Sequence, residues 1–158
     1  MYARPTLDPG RAMSGSFGAI FDENGRELTQ FNRFEATDTI NFQEMNLLGT
    51  RRVKHKVTTQ SGEGTIAGYK VTSDLVAALL ANPTRTFTFI AKIDDPEAYG
   101  YERIRYRGVR FNKNNLSRFQ AGQVVEEEWT FVFDEDPELL DAVIQSGPAS
   151  AATSSITA

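Results

Sequence analysis

Apolar residues alternate with polar ones along several short segments of this chain, and its aromatic side chains are concentrated in them. Residues 87–93 and 129–133 are the clearest examples. Successive side chains of a β-strand point to opposite faces, so a period of two predicts strands with one buried face. With about seven such segments, we predict a mainly β fold, either a β-sandwich or a partly closed antiparallel barrel.

Glycines mark the predicted connections between these strands. Asn24-Gly25 favours a tight hairpin, and Ser61-Gly62 predicts a second turn, between residues 51–60 and 65–69. The apolar register slips by one residue at Gly108, which predicts a β-bulge there.

Two short helices are predicted on the flank of the sheet. The first begins after Ser73 as N-cap, carries an apolar face, and ends before Pro83. The second opens at Asp136-Pro137 and ends at Gly147. Its apolar residues repeat the spacing of the first helix.

Length and composition predict one domain with two loose ends. The chain has 158 residues and no cysteine, which excludes disulfides and cysteine-ligated metals. We expect an N-terminal arm over residues 1–13, a folded domain over 14–146 and a flexible tail over 147–158. The chain has no apolar run long enough for a membrane span and no secretory signal, so we expect synthesis in the cytoplasm.

Charge and residue types argue against an enzyme or a dedicated nucleic-acid binder. The formal net charge is −4, whereas nonspecific affinity for nucleic acid comes mostly from Lys and Arg. His55 is the only histidine and lies in a basic strand, which is unsuited to a zinc site or a serine triad. We expect no catalytic residue, no metal and no cofactor.

A series of residues between 45 and 73 resembles the core tail proteins of contractile phage tails and related defective prophages. The pattern, in order, is Leu48-Gly49, Arg51, His55-Lys56, Gly62, Gly64 and Tyr69-Lys70-Val71-Thr72-Ser73. With its flanking strands, the resemblance covers roughly residues 14–146. It implies the tail tube fold.

The resemblance also implies a structural role. Six subunits would form a ring, their inner sheets would join edge to edge into one barrel, and the rings would stack into the tail tube of a virion. The implied partners are further copies of the chain, the tail sheath protein, the tape measure protein, and the baseplate and tail terminator proteins. DNA would pass through the lumen without specific binding, and the protein would be made in the bacterial host cytoplasm.

Residues 42–60 are predicted to form the main contact between rings, because an apolar loop there joins a strand too polar for a core. The candidate contact residues are Met45, Leu47, Leu48, Arg51, Arg52, Lys54, His55 and Lys56.

A second candidate site is a row of arginines on one strand face, Arg103, Arg105 and Arg107. Like charges placed together on a strand need carboxylate partners. The acidic run Glu126, Glu127 and Glu128 is the predicted counterpart, on the neighbouring strand or on the next subunit.

An alternative function from another class is a small β-barrel binding module for a hydrophobic ligand or peptide. Its cavity would be lined by the aromatic strands at 87–93 and 129–133. Size separates the two hypotheses, since a binding module should be a compact monomer or small oligomer, whereas a tube protein should form rings or long tubules.

Overall fold

Seven antiparallel strands form one sheet in the computed structural model, which describes residues 7–113 and 116–144. The strands are β1 (Gly18–Phe21), β2 (Phe31–Met45), β3 (Lys54–Tyr69), β4 (Phe87–Ile93), β5 (Glu102–Lys113), β6 (Glu126–Phe133) and β7 (Glu138–Asp141). Their order across the sheet is β1-β4-β5-β6-β3-β2, and β7 pairs with β5. The predicted mainly β fold is confirmed.

The sheet curls into a half-barrel with its core on the concave face. Aromatic side chains fill this core: the ring of Phe111 packs against those of Phe87, Trp129 and Phe131 at centroid distances of 5.3–6.2 Å. Trp129 and Phe131 are fully buried. The alternation of apolar and polar residues from which the strands are predicted therefore reflects one apolar face that the strands share.

The predicted turn at Ser61-Gly62 is wrong, because β3 runs without interruption from Lys54 to Tyr69. Gly62 lies opposite Phe133 of β6, and Gly64 lies opposite Phe131. A Cβ atom at either glycine would come within 2.5 Å of the facing phenyl ring. These glycines make space for large side chains and do not reverse the chain.

The first predicted helix is present as α1 (Asp74–Ala81), which places Leu79 in the core. Ser73 occupies the N-cap position, although its side chain makes no capping hydrogen bond. Within the described residues no helix is both long and apolar enough to cross a membrane.

The second predicted helix is wrong, since residues 138–141 form strand β7. β6 pairs with β5 only from Val109 to Lys113, so the preceding part of β5 needs another partner for its backbone. β7 supplies that partner, with Leu139 opposite Ile104. Pairing with the sheet outweighs the helical spacing of the apolar residues.

The β-bulge predicted at Gly108 is confirmed. Gly108 has φ of +67°, a conformation that favours glycine. The register with β4 shifts here, from Tyr106 opposite Phe89 to Val109 opposite Phe87. The carbonyl oxygen of Gly108 also accepts a hydrogen bond from the Asp134 amide at 3.3 Å. Asp134 directly follows the last residue of β6.

The described end of the N-terminal arm contacts the loop between β4 and β5. Arg11 Nη1 donates to the Glu97 carbonyl oxygen at 3.0 Å, and its guanidinium lies over the ring of Tyr99. Asp95 is buried, and its carboxylate accepts from the amides of Ser14 and Glu97, each at 2.9 Å. The domain boundary at residue 14 stays a prediction, and the tail from residue 147 lies outside the described residues.

Candidate assembly surfaces

The β2–β3 hairpin extends well beyond the core of the sheet. The two strands pair from Phe31 opposite Gly68 to Met45 opposite Lys54. Every residue from 37 to 61 is exposed. The extension therefore gains nothing from burial within its own subunit, although it carries several large apolar side chains.

The predicted ring-contact residues lie together at the end of this hairpin. Residues 45–56, called here the hairpin tip, contain the last residue of β2, the connecting loop and the first residues of β3. Leu48 is fully exposed, and Met45 and Leu47 are about half exposed. Basic side chains share the tip: Arg51, Arg52, Lys54, His55 and Lys56.

The two faces of the hairpin differ in chemistry. The face that continues the concave side of the sheet carries Ile40, Phe42 and Val57, all exposed. The imidazole ring of His55 packs edge to face against the ring of Phe42, with 6.3 Å between the two ring centroids. In the sequence, the signal for this apolar strip is the alternation of Ile40 and Phe42 with polar neighbours.

The opposite face is polar and free of positive charge over most of its length. Residues 34–50 and 57–69 contain neither Lys nor Arg. By the strand register, this face carries Glu35, Thr37, Thr39, Ser61, Glu63 and Thr65. Carboxylates and short hydroxyl side chains dominate it.

The three arginines of β5 form ion pairs with carboxylates of β7, and not with the acidic run Glu126–Glu128. Arg103 pairs with Asp141, and both Arg105 and Arg107 pair with Glu138. Glu126–Glu128 are therefore the wrong counterpart within the chain, because β6 pairs with β5 only beyond the bulge. The hydrogen bond from Arg105 and the two guanidinium charges hold the pKa of Glu138 below its usual value.

The acidic run of β6 has three different environments. Glu127 is buried, and this burial raises the pKa of its carboxyl, an effect partly opposed by Trp129 and Lys70. Glu128 forms an ion pair with Arg33 at 3.4 Å. Glu126 is exposed. A role of these residues between subunits stays a prediction.

A second exposed apolar surface lies at the other end of β3 from the hairpin tip. Tyr69 pairs with Glu126, and the Lys70 amide donates to the Val125 carbonyl at 2.9 Å, so the two segments run side by side. Tyr69, Val71 and Val124, called here the distal patch, are 45%, 72% and 72% exposed. The sequence alone does not reveal this patch, because its two segments are far apart along the chain.

An open cavity of about 930 Å³ lies between the two edges of the curled sheet. Its lining includes Ile20, Leu28, Phe34 and Tyr106, together with charged residues such as Lys92 and Glu102. The aromatic side chains of residues 129–133 do not line it, because they fill the core. Within the described residues, no cluster of His, Asp and Glu is suited to holding a metal ion.

Comparison with known sequences identifies a family. Residues 5–141 match the family described as phage tail tube protein. Two proteins of Bacillus subtilis strain 168 are each 32% identical to the chain over 135 residues, covering 82% of this chain and 91% of their own length. They are the phage-like element PBSX protein XkdM and the uncharacterized protein YqbM.

Solved structures of similar fold come from a contractile injection system and from a gene transfer agent particle. A chain from the extended sheath–tube complex of an extracellular contractile injection system aligns with a TM-score of 0.66 at 9% identity, covering 82% of this chain and 93% of that chain. A chain from the virion of a native gene transfer agent aligns with a TM-score of 0.62, also at 9% identity, covering 82% and 100%. At such low identity these likenesses establish the fold.

Proposed function

Because the chain belongs to the phage tail tube protein family, whose members are structural and not an enzyme class, we propose that it polymerises as stacked hexameric rings into a tail tube. The assembly is the inner tube of a contractile phage-like tail, located in the particle. The resemblance seen in residues 45–73 and the family match both support a tail tube protein.

The observation that carries the proposal is the exposed β2–β3 hairpin. Leu47 and Leu48 at its tip, and Phe42 and Val57 on its concave face, are exposed in the single subunit. Each fully buried large apolar side chain contributes roughly 1.5–3 kcal/mol. A hairpin that leaves several of them in water is therefore a binding surface for other subunits, and residues 42–60 are its main contact between rings.

The outer edge of β2 supports side-by-side assembly within a ring. Among the described strands, β2 pairs with β3 alone, and the sheet order places it at an end of the sheet. A long unpaired edge invites pairing with a strand of another subunit, and closure of the ring removes the exposed edge. A chain of similar fold comes from the tail of an empty gene transfer agent particle that was refined with C6 symmetry.

The polar face of the hairpin is suited to the wall of a conduit. Glu35, Thr37, Thr39 and Glu63 present carboxylates and hydroxyls, and no positive side chain lies among them. Nonspecific DNA binding comes mostly from Lys and Arg, which neutralise phosphates and release their counterions, so this wall gives DNA little to bind. In our proposal this face lines the lumen, and DNA or an effector passes without specific binding.

The partners in this proposal are the other components of a contractile tail. The similar chain in the injection system comes from a sheath–tube complex, and another comes from a baseplate of the anti-feeding prophage, aligned with a TM-score of 0.59. We propose that this chain contacts a sheath protein, a baseplate and a terminator, with a tape measure protein setting tube length. Synthesis takes place in the host cytoplasm.

Electron microscopy of the purified protein tests the proposal. We expect negatively stained tubules from the wild type, and none from Leu47→Ser/Leu48→Ser, which retains the wild-type melting temperature because both leucines are exposed. Leu139→Ser, an exposed leucine on β7, is the matched control and forms normal tubules. A wild type that remains a compact monomer at high concentration would contradict tube formation and favour the binding-module function.

A further inference from the structure

The distal patch is a second exposed apolar surface, and none of the strands or helices that the structure describes covers it. Tyr69 is the last residue of β3, Val71 lies just after that strand, and Val124 lies just before β6. They lie where the backbone pairing of these strands ends, at Tyr69 opposite Glu126. Their exposure is comparable to that of the apolar residues at the hairpin tip.

The hairpin tip and the distal patch lie at opposite ends of the same strand. β3 begins at Lys54 in the tip and ends at Tyr69 in the patch. A 16-residue strand spans about 50 Å at a rise of about 3.3 Å per residue. A subunit therefore presents one apolar surface at each end and cannot bring its own two surfaces together.

The charges around the two surfaces are of opposite sign. Residues 46–56 of the tip contain Arg51, Arg52, Lys54 and Lys56 and no acidic residue. Residues 69–74 and 124–128 around the patch contain Asp74 and the run Glu126–Glu128, with Lys70 as their one positive residue. Glu127 is buried and Glu128 pairs with Arg33, so the carboxylates offered to a partner are those of Glu126 and Asp74, both exposed. Complementary charges favour this contact and disfavour tip-to-tip and patch-to-patch contacts.

We propose that the hairpin tip of one copy docks on the distal patch of a second copy in the next ring. Leu47 and Leu48 cover Val71 and Val124, and the basic side chains of the tip face Glu126 and Asp74. Such a head-to-tail contact uses two different surfaces, so it repeats without limit and produces an open filament. The inference rests on the proposed tube and names the surface that receives the hairpin.

Cysteine cross-linking in assembled tubes tests this contact, because the chain has no cysteine of its own. The variants are Leu48→Cys/Val71→Cys and, as a second pair, Leu47→Cys/Val124→Cys. A short bismaleimide should join either pair between rings and give a ladder of dimers, trimers and longer species on a denaturing gel. Leu48→Cys alone and Leu48→Cys/Leu139→Cys are the controls and should remain monomeric.

The outcomes separate this inference from the proposed function. A ladder from either pair, absent from both controls, supports the docking. If the variants form normal tubes but neither cysteine pair gives a ladder, the docking is overturned and the proposed tube is not affected. A wild type that forms no tubes overturns both.

A charge exchange gives a second readout that needs no cysteine. Lys54→Glu should reduce the yield of tubes at least tenfold, and Glu126→Lys in the same chain should restore it, since the two residues then attract each other again across the contact. Loss of tubes without recovery in the double variant counts against the docking.

Discussion

Gly62 of β3 lies directly opposite Phe133 of β6, and the phenyl ring occupies the space where a side chain at position 62 would be. A Cβ atom there would lie 2.1 Å from the ring. Phe133 is buried in the core and packs against Tyr106 at a ring distance of 5.4 Å. The absence of a side chain on one strand is thus a requirement of core packing on the next.

Replacing Gly62 by alanine is therefore expected to destabilise the subunit by about 3 kcal/mol, the upper end of the usual cost of overpacking a core. Phe133→Leu in the same chain should recover part of this loss, so that the double variant is more stable than the sum of the single effects predicts. Urea denaturation of the unassembled protein measures both. Gly100→Ala, where a Cβ meets nothing within 4 Å, is the control and should change stability by less than about 0.5 kcal/mol.

The ion pairs of Glu138 should make the stability of the folded protein depend on pH. The pKa of Glu138 is held below its usual 4.5 in the folded state, chiefly by the hydrogen bond from Arg105. A lowered folded-state pKa stabilises the protein above the unfolded value, and this contribution is lost as the pH falls through the folded value. We expect Glu138→Gln to melt below the wild type at pH 7, with the gap closing as the pH falls below 4.5.

Burial raises the pKa of Glu127, which changes stability with pH in the opposite direction to Glu138. Glu127 is present in both the wild type and Glu138→Gln, so its effect cancels when the two are compared. Glu23→Gln, which removes one exposed ion pair with Arg85, is the matched control and should lower the melting temperature less. A constant gap between wild type and Glu138→Gln from pH 7 to pH 3 would show that the ion pairs with β7 do not carry the effect.

Asp95 is expected to stabilise the junction between the N-terminal arm and the loop after β4. Its buried carboxylate accepts hydrogen bonds from the amides of Ser14 and Glu97. Asp95→Ala leaves these donors unpaired and should cost about 1–3 kcal/mol. Asp95→Asn keeps one acceptor oxygen and should cost less. Thermal melting of the two variants checks the order, and equal losses would contradict it.

A cysteine at position 39 should report which face lines the lumen. Thr39 lies on the polar face of the hairpin, opposite Ser61. In assembled tubes, Thr39→Cys should react with a small maleimide but not with a maleimide carried by a large polymer, whereas the unassembled subunit should react with both. Leu139→Cys on β7 is the control. Rapid labelling of Thr39→Cys tubes by the large reagent would place this face on the outside.

Trypsin should distinguish the free hairpin from the assembled one. The tip contains four cleavage residues, Arg51, Arg52, Lys54 and Lys56, all exposed. We expect rapid cleavage in the unassembled subunit and cleavage at least tenfold slower in tubes, because the neighbouring ring covers the tip. Mass spectrometry of the peptides identifies the sites. Equal rates in both states would show that the tip lies outside the contact.

The candidate site divides into parts that the sequence reveals and parts that it does not. The eight tip residues lie close together because they are neighbours along the chain, and an apolar loop followed by a basic strand is visible without a structure. The sequence also shows that Arg103, Arg105 and Arg107 need carboxylate partners, because they lie on one strand face. Their actual partners on β7, and the pairing of Tyr69 with Glu126 beside the distal patch, depend on which distant strands become neighbours.

The sequence by itself determined the mainly β fold, helix α1 and the bulge at Gly108, because strand alternation, the helical spacing of apolar residues and a slip of register are local properties of the chain. Only the tertiary structure decided that Gly62 lies within a strand and that residues 138–141 form one. In both cases a local preference, for a turn or for a helix, competes with the packing of a phenyl ring or the pairing of an open strand. Burial and backbone hydrogen bonds with distant residues outweigh a preference of about 1 kcal/mol per residue or less.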